Sequence, residues 1–159
     1  MEYSDVATLA ASAIGEPGER TFLLQLTGPW GRHTYLLEKG QVAALAHGTY
    51  ELLRETAGEV DSSVIAPPLF DELPRFRISQ LALGYDEVDK TVALTFESVS
   101  EDDESVTYRM PIDVLAAAAR QAEEAVGGGR PTCPKCGLAM DPAGHACPTT
   151  NGDLRHHRP

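Results

Sequence analysis

All three cysteines of the chain stand close together near its carboxyl end, in Cys133-Pro134-Lys135-Cys136-Gly137 and in His145-Ala146-Cys147-Pro148. Two thiolates two residues apart in a turn face one cation, and Gly137 lets the backbone fold back so that its amides point at the sulfurs. Eight residues separate Cys136 from His145, room for a short hairpin and too few for a helix. Cys133, Cys136, His145 and Cys147 therefore read as a Cys3His set, a closed tetrahedral site for one structural Zn²⁺. Hydrolytic zinc keeps three protein ligands and a water, so four ligands leave no position for chemistry. If His145 were not a ligand, the count would fall to three and a catalytic role would reopen. Asp141 is an alternative donor that a thiolate-rich site seldom uses.

Two other readings of the same residues stay open. A CxxC pair can cycle as a redox dithiol, but that use wants the motif at the start of a helix after a strand, and Pro134 and Gly137 suit it poorly. Ordinary reduced thiols with no metal are the other. Spacing and the concentration of every cysteine in one stretch favour zinc.

The rest of the chain offers no sharp catalytic signature. Gly-x-Ser-x-Gly, HExxH, a phosphate loop and a dinucleotide fingerprint are all missing from the sequence. The acidic run Glu101-Asp102-Asp103-Glu104 lacks the spaced ligands and glycine of a calcium loop and reads as a solvated hairpin tip. Gly127-Gly128-Gly129-Arg130 follows a helix with no strand before it, so it reads as a hinge and not as a phosphate cradle. Trp30 at a turn is either an exposed anchor or a cover for a sheet edge, the second being commoner. His33 and His47 have no catalytic partner visible in sequence, and His156 and His157 belong to the tail.

Composition narrows the partners. The 159 residues carry 13 Lys and Arg against 24 Asp and Glu, a formal charge of -11. Such a surface repels phosphate backbones and anionic lipid, which argues against general nucleic-acid or membrane binding. Arg130, Lys135, Arg155 and Arg158 around the metal stretch are the one candidate basic patch. The first residues, Met1-Glu2-Tyr3-Ser4-Asp5, carry no basic segment, and no apolar run reaches the length of a signal peptide or membrane span. The expectation is a cytoplasmic protein.

Periodicity supplies the elements that must carry these residues. Val6 to Ala11 is a weakly patterned first strand. Thr21 to Thr27 alternates, with Phe22, Leu24 and Leu26 on one face, and Thr34 to Leu37 returns after the turn Gly28-Pro29-Trp30-Gly31. Val42, Leu45, Ala46, Thr49, Leu52 and Leu53 then recur at helical spacing from Lys39 until Gly58. A long loop follows, 59–74, whose Val64, Ile65, Leu69 and Phe70 must pack on the domain or on a partner. Phe76 to Leu83 is strand-like with a change of face near Ser79-Gln80, and Thr91 to Glu97 and Val106 to Met110 alternate cleanly. Pro111 suits a first helical position and Asp113 the positive helix end, and an apolar stripe runs from Val114 to Val126.

The chain thus reads as strand, strand, strand, helix, twice over, an α+β fold of antiparallel sheet with helices on one face. Thr34-Tyr35 and Thr107-Tyr108 take matching places, which suggests a duplication; slight residue identity between the halves leaves it open. The domain boundaries expected are 1–126 for the α+β domain, 127–131 for a glycine hinge, 132–152 for a zinc-knuckle or ribbon-like knob and 153–159 for a disordered tail.

Three blocks, Gly15 to Gln25, Leu37-Glu38-Lys39 into Gln41-Val42, and Gly129-Arg130-Pro131 through the metal stretch to Asn151-Gly152, resemble an actinobacterial domain-of-unknown-function family, number 3090. The last block is the most specific, because CPxCG, Asp-Pro-x-Gly-His-x-Cys-Pro and Asn-Gly occur in that order. Gly40, where a better helix former is expected, and the extension from Asp153 to Pro159 depart from the pattern. The resemblance implies a bacterial cytoplasmic protein that keeps company with a phosphoglycerate-mutase-like protein and a kinase-like protein.

Two functions are compatible with these residues. One is a protein-binding or adaptor module that presents the zinc knob and the long loop. The other is a small enzyme acting on a phosphorylated metabolite in association with the mutase-like protein, with Arg20, Arg75 or Arg77 on phosphate.

Overall fold

In a computed structural model, which describes residues 1–16, 18–56, 59–100 and 105–127, the elements run β1 (Glu2–Tyr3), β2 (Thr8–Ile14), β3 (Thr21–Gly28), β4 (Gly31–Leu37), α1 (Lys39–Thr56), β5 (Ile78–Asp86), β6 (Thr91–Ser98), β7 (Ser105–Pro111) and α2 (Ile112–Val126). The α+β character and the repeated strand, strand, strand, helix order agree with the sequence reading. The first long strand lies two residues later than expected, and the two-residue β1 is additional. Pro111 closes β7, so α2 begins one residue after it.

The strands do not form one antiparallel sheet. They divide into a three-stranded sheet, β2-β3-β4, and a four-stranded sheet, β1-β7-β6-β5, in which β1 runs parallel to β7. Each meander stays within its own sheet because its strands are joined by short turns. Pro29 and Trp30 connect β3 to β4 between the paired Gly28 and Gly31. A side chain at Gly28 would strike Trp30 Cε2 at 2.6 Å, so the turn needs glycine there for the indole to fold back over it. The change of face expected near Ser79-Gln80 is a bulge: the β5–β6 register shifts between Ile78 and Gln80.

The two halves share one pairing register. Tyr35 lies opposite Leu24, and Tyr108 opposite Leu94. An offset of 73 residues carries Thr34 to Thr107 and Tyr35 to Tyr108, and it carries the buried residues of α1, namely Val42, Leu45, Ala46 and Thr49, onto buried Leu115, Ala118, Ala119 and Ala122 of α2. Even the cover of the outer strands repeats. The chain before β5 runs parallel to β4, bridging Leu36 to Arg77, as β1 runs parallel to β7. Each helix packs on the first strand of the opposite half, α2 on β2 and α1 on β5, and the helices pack on each other.

One apolar cluster fills Met1–Val126, drawing on both sheets and both helices. At its middle the hydroxyls of Tyr35 and Tyr108, both fully buried, hydrogen-bond to each other, and Tyr108 also meets His33 Nδ1 at 2.7 Å. Phe96 packs on both tyrosines, and Phe76 and Tyr3 cover Tyr35 and Tyr108 in turn. Neither described helix is long and apolar enough to cross a membrane.

Because Tyr108 is bonded to both other groups, Tyr108→Phe strands His33 and Tyr35 together. We expect it to destabilise the domain by about 1–3 kcal/mol, with the Tyr35→Phe/Tyr108→Phe double variant costing less than the sum of the singles. Denaturant unfolding of the four proteins checks this; full additivity would contradict the pairing.

Candidate functional site

The expected metal ligands Cys133, Cys136, His145 and Cys147 lie outside the described residues, as do the acidic run 101–104 and the tail with His156 and His157. Among the described residues no group of three or more His, Cys, Asp and Glu side chains is placed to hold a metal ion. What the described residues build instead is an ordered loop.

Strand β3 is buried on both faces: Leu24 and Leu26 point into the core, while Leu23 and Gln25 on the other face are covered as well. Gln25, 3% exposed, shows what covers it. Its amide donates to Phe70 O at 2.6 Å and accepts from Phe70 N at 2.8 Å, as a neighbouring strand would. Four further ties hold the same loop. Gln121 donates to Pro67 O at 2.7 Å, Arg120 to Val64 O at 2.8 Å, and Asp113 accepts from Asp61 N at 2.9 Å. Glu72 takes a bidentate pair from Arg32, at 3.0 and 2.8 Å, and a hydrogen bond from Thr34. These bonds supply the backbone partners that a long segment without secondary structure otherwise lacks. So the loop packs on its own domain.

Its apolar side chains nevertheless remain outside. Ile65 is 80% exposed, Leu73 93% and Phe70 54%, with the Arg32 guanidinium 4.0 Å from the Phe70 ring centroid. Ile65 also borders a cleft of about 280 Å³ between the loop and α2, where Ser62 and Ala66 face Ala117, Arg120 and Glu124.

The three arginines considered for phosphate each hold a protein group. Arg20 donates to Ala125 O at 2.9 Å, and Arg77 pairs with Glu38 at the start of α1. Arg75 donates its backbone amide to Thr34 O, and its charge acts on His33 and Tyr35. Trp30 is the edge cover: its ring lies against His33 and Tyr3, and its indole N–H donates to Ser4 O at 2.9 Å. His47 is exposed beside Glu51.

Two electrostatic settings stand out. The Arg32 guanidinium, then the Thr34 hydroxyl, hold the Glu72 carboxyl down at about 2. Burial, reinforced by the Arg75 charge, lowers His33 below the usual imidazole value. A neutral His33 leaves Nδ1 free to accept from the Tyr108 hydroxyl, while burial raises both tyrosines so that they stay protonated. This orders the hydrogens along the buried chain.

Sequence reasoning missed Gln25, His33 and Gln121 as fixing residues. Gln25 was detectable, since a lone amide between Leu24 and Leu26 in a strand with Leu23 beside it must be satisfied from outside the strand.

The fold and these ties define a two-sheet α+β domain built from two similarly registered halves and clasped by one long ordered loop. The chain belongs to the family described as Protein of unknown function (DUF3090), whose match covers residues 1–147. Neither a curated protein nor a solved structure matches it.

The sign of the His33 shift fixes a pH dependence. Its folded value is depressed, so its contribution to stability is present above the unfolded value, about 6.5, and is lost as pH falls through the folded value. Thermal midpoints should therefore fall as pH is lowered from 7.5 towards 5, and the part due to His33 should vanish in His33→Gln. Equal slopes in the two proteins would refute the assignment. An NMR titration should find the Glu72 carboxyl near 2 and rising in Arg32→Ala.

Proposed function

We propose that the protein is a binding or adaptor module. Its body presents the 59–74 loop to a protein partner, and Cys133, Cys136, His145 and Cys147 close a carboxyl-terminal segment around one structural Zn²⁺. The observation that carries the reading is the exposure of Ile65, Phe70 and Leu73 on a loop whose backbone is tied down by Gln25, Gln121, Arg120 and Glu72. Large apolar side chains left outside cost solubility, and a clamped backbone lowers the entropy lost on binding. That combination suits recognition.

For zinc the support is the donor set. Three thiolates and an imidazole match the preferences of Zn²⁺, and the family match ends at Cys147, so it spans all four residues. A segment with little apolar content beyond Leu138 and Met140 gains order from metal binding, worth on the order of 10 kcal/mol in small zinc peptides. The companions implied by the family resemblance, a phosphoglycerate-mutase-like and a kinase-like protein, are the first partners to test.

Elemental analysis of the purified chain should find one zinc, lost in Cys133→Ser/Cys136→Ser with the far-UV spectrum of the body unchanged. Phe70→Ser/Leu73→Ser should keep the thermal midpoint and weaken capture of a companion protein about tenfold or more. Capture that is indifferent to the loop variant sinks the adaptor reading; metal-free protein sinks the zinc.

A further inference from the structure

The two halves differ where each helix meets the first strand of the opposite half. On the first, α2 seals the edge of β2. The helix, whose alanines at 118, 119 and 122 are fully buried, packs on β2, and Gln121 accepts a hydrogen bond from the Ala11 amide at 2.8 Å. On the second half, the offset that relates the helices puts Gly48 where Gln121 stands, and Leu83, opposite Leu94, where Ala11 stands opposite Leu24. Here the seal reaches only the start of the strand, where Gln41 of α1 donates to Ile78 O at 2.9 Å and to Ser79 O at 3.1 Å; among the described residues α1 makes no such bond along Gln80 to Tyr85. Gly48 reaches nothing on β5 beyond Leu83 Cδ1, and a groove of about 310 Å³ opens between the helix and the strand, floored by Leu45, Leu52, Leu81 and Leu83.

β5 is also the outer strand of its sheet, and among the described residues no backbone pairs with its free side along Gln80 to Tyr85. It is long, and from Ile78 to Asp86 it carries no Lys and no Pro, the usual guards against edge pairing. We propose that this edge takes up an extended peptide segment of a partner as an added strand, with alternate aliphatic side chains in the groove and a Lys or Arg at the rim formed by Glu51 and Glu55. Main-chain hydrogen bonds to the edge give affinity, and the side-chain pockets give selectivity. Charge selects the occupant. Glu55 has no ion pair among the described residues, Glu51 shares His47 and Arg54 on its own helix, and the chain carries a formal charge of -11. A second copy would bring a further formal charge of -11 to an acidic rim, whereas a basic segment is attracted. The inference is independent of the loop reading, since it concerns other residues.

The test is selection of a random heptapeptide library on the full chain, with Gly48→Gln as counter-selection, because that substitution copies the closed half into the open one. The wild type should enrich peptides that alternate aliphatic with polar residues and carry Lys or Arg. Those peptides should slow amide exchange at residues 79–85, bind Gly48→Gln about tenfold or more weakly, and weaken in Glu55→Lys and at raised salt. Gly48→Gln should unfold at or above the wild-type temperature, so lost binding does not reflect lost folding. Equal binding to both proteins, protection elsewhere, or no enrichment over the counter-selection overturns the proposal. So does a wild-type dimer that Gly48→Gln abolishes, which would assign the edge to a second copy.

Discussion

The buried hydrogen-bond chain from Tyr35 through Tyr108 to His33 constrains the rest of the fold. A phenol in an apolar interior must find a partner, since an unpaired buried hydroxyl costs about 1–3 kcal/mol. Tyr35 comes from one sheet and Tyr108 from the other, so satisfying both fixes the two sheets at a single relative position. A purely aliphatic interface would slide, because dispersion and burial are non-directional. The aromatic shell of Phe76, Phe96 and Tyr3 then keeps water from competing for the hydroxyls. With the tyrosines held, the imidazole remains neutral and the direction of hydrogen donation is set.

From that seam the need for the long loop follows. Joining two three-stranded meanders back to back leaves the outer face of β3 with Leu23 and Gln25 exposed unless something covers it. The 59–74 segment does so, and side-chain amides of the body meet its backbone where no regular ladder forms. Gln25 meets both the N–H and the C=O of Phe70, as a strand neighbour would, and Gln121 meets the carbonyl of Pro67. These few directed bonds give the loop its order. Its exposed Ile65 and Leu73 add nothing to that cover.

Much of this was legible in the sequence, and the illegible part has a physical reason. Alternation marked β3, β6 and β7, helical spacing marked α1 and α2, and the break of phase at Ser79-Gln80 marked a bulge, since period alone decides which face a residue takes. The division into two sheets was not visible, because a strand's own period is the same whichever neighbour it pairs with. β1 escaped notice since two residues carry no period. The correspondence of Tyr35 with Tyr108 was readable as matching positions; that the two side chains touch is a tertiary fact. Of the candidate sites, the expected zinc ligands rest on spacing alone, whereas the loop clamp depends on contacts between residues 38 to 56 apart in sequence.

The difference between the helices cannot be put down to steric need. A β-carbon at Gly48 would meet only Leu83 Cδ1, at 3.4 Å, the tip of a flexible side chain with open groove beside it. Glycine inside a helix costs about 1 kcal/mol relative to alanine, and Gln is among the better helix formers. Packing and helix propensity would both favour filling that position, as Gln121 fills its counterpart on α2. The buried positions of α2 are mostly alanine, whereas Leu45 and Leu52 of α1 and Leu81 and Leu83 of β5 line the groove on the second half. A fold that repeats its register so closely elsewhere thus stays open at one edge against its own stability, and an opening of that kind is what a strand-sized ligand requires.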